Sequence, residues 1–136
     1  MEKNRELEEK ILAHRILEVR LGALLKNRDQ MIAKLNEIEN TIEGINEIRK
    51  SDKFLFPLGS DTYVFGNVTN KEKLVVEMGA GVAFEKTFDS AVETLKKKKN
   101  ELEKLVAETQ EEISKTSLAL QQIDSEIQKL ASKSSK

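Results

Sequence analysis

A chain of 136 residues allows one folding unit, and with 35% charged but only 4% aromatic residues its apolar content suits narrow helical seams better than a broad globular core. A net charge of -1 and a pI near 6.0 argue against dedicated nucleic-acid binding, which needs a basic face, and the lack of cysteine removes disulfides, thiolate zinc sites and cysteine nucleophiles. No apolar run is long enough to span a bilayer and the N-terminus is too charged for a secretory core, so a soluble, cytoplasmic protein with no membrane partner is expected.

The N-terminal arm, residues 1–51, reads as one long helix. Leu17, Leu21, Leu24, Arg28, Met31, Leu35, Ile38, Ile42 and Ile45 follow alternating steps of four and three, and only Arg28 breaks the apolar seam. Upstream, Leu7, Ile11 and His14 reach Leu17 only through a three-residue irregularity, so the free end is expected to be less regular. Arg49 and Lys50 suit the negative end of the helix.

Residues 53–87 change character to short strands punctuated by turns. Phe54 to Leu58 is a first strand, placed at an edge or strand end by Pro57, which cannot donate to a ladder. Gly59, Ser60 and Asp61 turn the chain into a second strand, Thr62 to Val68. After Asn70 and Lys71, a third strand runs from Lys73 to Met78 with Leu74, Val76 and Met78 on one face; Gly79, Ala80 and Gly81 turn it into a fourth, Val82 to Thr87. Two β-hairpins result.

The C-terminal arm, residues 88–131, is a second helix with Thr87 or Ser90 as candidate N-cap and Asp89 and Glu93 at its positive end. Its seam runs through Phe88, Val92, Leu95, Lys99, Leu102, Val106, Thr109, Ile113, Thr116, Leu120, Ile123, Ile127 and Leu130, ten of thirteen apolar. Residues 132–136 read as a flexible polar tail. The fold class is mainly α: two arms of roughly 45 residues, on the order of 65 Å each, folding back as a long antiparallel coiled-coil hairpin with two β-hairpins inserted between the helices.

Isolated hairpins are marginal in water and their open edges invite association. Phe54, Phe56, Leu58, Val64, Leu74, Val76, Val82 and Phe84 are therefore the expected oligomerisation residues, closing with equivalent hairpins of other subunits into a β-barrel platform from which coiled coils project. A core role and an assembly role coincide there.

The segment from Phe56-Pro57-Leu58-Gly59 through Leu74-Val75-Val76-Glu77-Met78-Gly79-Ala80-Gly81-Val82-Ala83-Phe84-Glu85-Lys86, set between the two arms, resembles the α class of the prefoldin family, and the similarity spans nearly the whole chain. Two hairpins distinguish the α class from the one-hairpin β class. The resemblance implies an archaeal or eukaryotic hexameric holdase of two α-class with four β-class subunits, with a compact chain and short tails favouring an archaeal source. It implies ATP-independent capture of unfolded client proteins at the coiled-coil tips and their delivery to a group II chaperonin.

The residues expected to touch clients are Leu7, Ile11, Leu12, Ile123, Ile127 and Leu130, brought to one end by antiparallel arms and exposed by fraying. Heptad spacing alone predicts that most of them are ordinary seam positions, and both readings stand at this point. A structural scaffold or filament-forming prefoldin-like protein without client transfer is the alternative function.

Other motifs carry less. The run Lys96 to Lys99 lies among Glu93, Glu101 and Glu103 and reads as a solvated helix face, with Lys99 snorkelling from the seam, so no nucleic-acid partner is expected. His14, the single histidine, reads as a polar seam residue, since zinc needs further ligands. Gly79 and Gly81 lack the lysine and spacing of a phosphate loop. No catalytic constellation is present, no cofactor is implied, and the chain is expected not to be an enzyme.

Overall fold

The computed structural model describes residues 2–134. Helix α1 (Glu2–Lys50) is followed by strands β1 (Phe54–Gly59), β2 (Thr62–Gly66), β3 (Lys73–Gly79) and β4 (Val82–Thr87), and then by helix α2 (Phe88–Ser134). Neither helix contains proline; the one proline of the chain, Pro57, lies in β1. Helix α2 continues through Ser134, three residues into the stretch read as a tail, and residues 135 and 136 of that stretch lie outside the described residues. The chain forms two compact units, residues 2–33 with 103–134 and residues 34–102.

In the first unit the two helix segments run antiparallel. Arg20 donates to Glu112 at 3.0 Å, Arg28 to Gln110 at 3.2 Å, and Lys10 to Glu126, so contacts advance along α1 as they retreat along α2. Ion pairs this exposed contribute little singly; the seam supplies the cohesion and the charges fix its register. Val106, Thr109, Ile113, Thr116, Leu120, Ile123, Ile127 and Leu130 are all buried or half-buried, with Ile113 and Thr116 deepest.

One sequence expectation is corrected here. On α1 half-buried residues include Leu7, Lys10, His14, Leu17, Leu21, Leu24, Arg28 and Met31, a series of alternating steps of three and four that Ala13 and Leu25 flank. There is no irregularity before Leu17. The seam continues through two polar residues, Lys10 and His14, and Ile11 lies off it, exposed. Taking Ile11 rather than Lys10 as the seam residue put the register off by one at that turn, because a charged side chain can occupy a seam position by meeting an opposite charge across it.

In the second unit α1 and α2 again pack antiparallel. Ile45 contacts Phe88 and Ala91 in a buried cluster joined by Ile48, Val92 and Leu95 from the helices and by Leu74 and Val76 from β3. Lys99 reaches Glu39 at 3.3 Å from its half-buried seam position, as snorkelling requires. Thr87 is the N-cap of α2, its hydroxyl oxygen accepting from Ser90 N at 3.1 Å. Arg49 donates to Asp89 at 2.7 Å and stacks 5.5 Å from the Phe88 ring centre, tying the end of α1 to the start of α2.

The four strands make two separate antiparallel hairpins, β1-β2 and β3-β4. Both turn by the same device. Gly59 and Gly79 take φ of 115° and 93°, and the pairs Ser60-Asp61 and Ala80-Gly81 that follow are all left-handed, giving two-residue turns preceded by a register shift at Pro57/Gly59 and Glu77/Gly79. A Cβ at Gly59 or Gly79 would strain that backbone.

Candidate assembly and client surfaces

The first hairpin pairs Phe56 with Val64 and Leu55 with Phe65. Alternation therefore puts Phe54, Phe56 and Val64 on one face and Leu55, Pro57, Tyr63 and Phe65 on the other. Both faces are apolar and both are largely open. Phe54 and Phe56 meet edge-on at 6.4 Å, yet Phe56 and Val64 remain exposed, and on the opposite face Phe65 is 82% exposed. Leu58, next to the turn, is exposed as well.

The second hairpin differs in having an anchor. Val76 pairs with Phe84 and Leu74 with Lys86. Leu74 and Val76 are half-buried against the helices, whereas Val82 and Phe84, towards the hairpin tip, are exposed. At the base of the hairpins Lys71 donates to Asp52 at 2.7 Å and to Ser51 O at 3.1 Å, while the Asn70 side chain accepts from Glu72 N and Lys73 N to start β3. The Lys71 hydrogen bond and charge hold the Asp52 carboxyl below its ordinary range.

The eight residues expected to assemble thus fall into three groups. Leu74 and Val76 already have partners within the chain, Phe54 is partly covered, and Phe56, Leu58, Val64, Val82 and Phe84 present apolar surface outward. Leu55, Tyr63 and Phe65 escaped the sequence reading, which assumed one buried face per hairpin. The signal was present: Phe54-Leu55-Phe56 and Tyr63-Val64-Phe65 are unbroken apolar runs, the pattern of strands buried on both sides.

At the free end, Leu7, Ile123, Ile127 and Leu130 are half-buried seam residues, while Ile11 and Leu12 are exposed. His14 Nδ1 lies 3.2 Å from Glu18 and Nε2 3.9 Å from Asp124, and Glu126 raises the pKa of Lys10 by hydrogen bonding to it. The six expected tip residues do not form one patch: four knit the helices together and two look outward.

Among the described residues no group of histidines and carboxylates is placed to hold a metal ion, and no helix is long and apolar enough to cross a membrane. Two long helices packed antiparallel, with two open β-hairpins between them in the chain, define the fold class. The family model for prefoldin subunits matches residues 17–133. Prefoldin subunit alpha of Methanopyrus kandleri is 38% identical over 85 residues, an alignment covering 62% of this chain and 54% of that protein, so this chain matches only about half the length of that relative. Prefoldin subunit alpha of Methanosarcina mazei is 32% identical over 108 residues, covering 79% of this chain and 73% of that protein. The filamentous PFD from Methanocaldococcus jannaschii, solved by cryo-EM, has the same fold with a TM-score of 0.69 at 16% identity, covering 88% of this chain and 98% of that one.

The chain belongs to the prefoldin family, in its archaeal α class.

Proposed function

We propose that this chain is an assembly-forming chaperone subunit whose hairpins associate with hairpins of other copies into a β platform, with the coiled coil as projecting scaffold. The observation that carries this is the first hairpin, apolar on two faces and exposed on both, with Phe65 the extreme. A hairpin covered on one side only would still leave three large side chains in water, so two layers of partner are required. A barrel closed by other subunits meets that requirement. So does repetitive stacking, and the filamentous state of the Methanocaldococcus jannaschii protein supports the filament-forming reading. A cytoplasmic setting is part of the proposal.

The second reading is a hexamer of two α-class with four β-class subunits that holds unfolded proteins without ATP and passes them to a group II chaperonin. Ile11 and Leu12, exposed near the free end, favour it. Several such weak contacts on tethered tips add through effective concentration.

The test is the mass distribution in solution of the purified chain alone and mixed with a β-class subunit, with electron microscopy of both. Open-ended polymers of the chain alone support the filament-forming scaffold. A defined hexamer that appears only on mixing supports the holdase. A monomer under both conditions contradicts either form of assembly.

A further inference from the structure

Helix α1 carries a second apolar stripe that the coiled-coil seam does not use. Leu12, Ile16, Val19 and Ala23 follow steps of four, three and four, on the side of the helix turned away from α2. Leu12 is 58%, Ile16 60% and Val19 70% exposed. Along the same line Glu9 stands one step before Leu12 and Lys26 one step after Ala23, and neither makes an ion pair among the described residues. Singly, exposed apolar residues mean little; four in register on a charged helix are a built face.

We infer that this outer face of α1 docks antiparallel on the same face of a second copy of the chain. Its sequence is self-complementary in that direction only. Placing Ile16 opposite the partner's Val19 sets Leu12 opposite Ala23 and Glu9 opposite Lys26, so each large side chain meets a smaller one and Glu9 its opposite charge, while of the flanking Arg15 and Arg20 the latter is held by Glu112. The two-fold axis repeats every contact, as an isologous interface must. Gly22 beside Ala23 leaves room, since nothing lies within 4 Å of a Cβ built there, and lets the two helices approach closely. In the parallel arrangement Glu9 would face Glu9 and Lys26 would face Lys26, which repels at both ends.

The size of the face sets its strength. Four side chains of this kind offer roughly half the ~800 Å² per partner of a stable complex, so the contact is transient between lone chains. It becomes persistent when several tips of one assembly meet those of another. The inference is independent of how the hairpins assemble, because it concerns α1 alone.

The cysteine-free chain makes the test direct. Full-length Leu12→Cys and Ala23→Cys variants, each with far-UV spectra of the parent, are mixed and oxidised, with Lys115→Cys on exposed α2 surface as control. The expected result is a mixed Leu12→Cys/Ala23→Cys dimer several-fold above either same-residue dimer and above any dimer with the control. Glu9→Lys or Lys26→Glu placed in both partners lowers that yield several-fold, and the two together restore it. Dominance of same-residue dimers overturns the antiparallel pairing. A mixed dimer no more abundant than the control, a double swap that fails to restore it, or displacement of the contact by an unfolded client with no effect of the charge swaps, overturns the self-docking.

Discussion

Replacing Phe88 by alanine should separate the chain's own stability from that of its assemblies. The ring is 5% exposed, sits at the first position of α2, contacts Ile45 and Ala91, and lies under the Arg49 guanidinium at 5.5 Å. Truncating a buried phenylalanine costs about 3–5 kcal/mol through lost transfer energy and the cavity left behind. The cation-π contact adds about 0.5–1 kcal/mol at a site this open to water. The hairpin-bearing unit has few other buried side chains among its described residues, Ile38, Ile45 and Ala91, so little can repack into the space. A loss of about 4 kcal/mol corresponds to a fall in Tm of roughly 10–20 °C for a chain of this size. The assay is thermal unfolding by circular dichroism at fixed protomer concentration, because association raises the apparent Tm. Amide exchange resolves which half opens. A Tm within about 3 °C of the parent, less than about 1 kcal/mol, would refute the assignment of Phe88 as the joint between helices and hairpin, as would exchange enhanced only in the distal segments 2–33 and 103–134.

The opposite outcome is expected for Phe65→Ser: at 82% exposure in the single chain its loss should change monomer stability by no more than about 0.5 kcal/mol while weakening assembly, read as a fall in mean mass by sedimentation. Gly66→Ala places a methyl 2.7 Å from Cε2 of Phe56, so the ring must swing away from Phe54. The expected loss is about 1 kcal/mol of aromatic contact, with the Phe54-Phe56 nuclear Overhauser contact gone and helix content unchanged. For the Asp52–Lys71 tie, the folded carboxyl lies below its ordinary value of 3.8, chiefly through the hydrogen bond from Lys71 and then its charge. A depressed carboxyl pKa stabilises above the unfolded value and loses that contribution as pH falls through the folded one. The hairpin base should therefore be indifferent to pH from neutrality to about 4 and loosen below it, as followed by amide exchange around Asp52. Asp52→Asn should remove that acid dependence.

Much of the architecture was legible because it rests on local chemistry. All nine positions from Leu17 to Ile45 and all thirteen from Phe88 to Leu130 assigned to the seams are buried or half-buried, Arg28 and Lys99 included. The two glycine-led turns fell where Gly59 and Gly79 stand, since few other residues hold those φ values. Thr87, one of two cap candidates, is the cap. The assembly surface was half legible. Leu55, Tyr63 and Phe65 were passed over because alternation was assumed, and an apolar run without alternation says two faces are buried without saying by what.

By itself the sequence determined the periods: 3.5 along the arms, 2 along the strands, and the turns between them, each set by side-chain spacing and backbone sterics within a few residues. Tertiary structure alone decided that Lys10 rather than Ile11 holds the seam position before His14. Lys10 is unremarkable in a helix until Glu126 stands across from it. It also decided what was left over. Once the seam takes Leu7, Lys10, His14 and Leu17, the residues Leu12, Ile16 and Val19 must face outward, because 3.6 residues per turn cannot bring both sets to one neighbour.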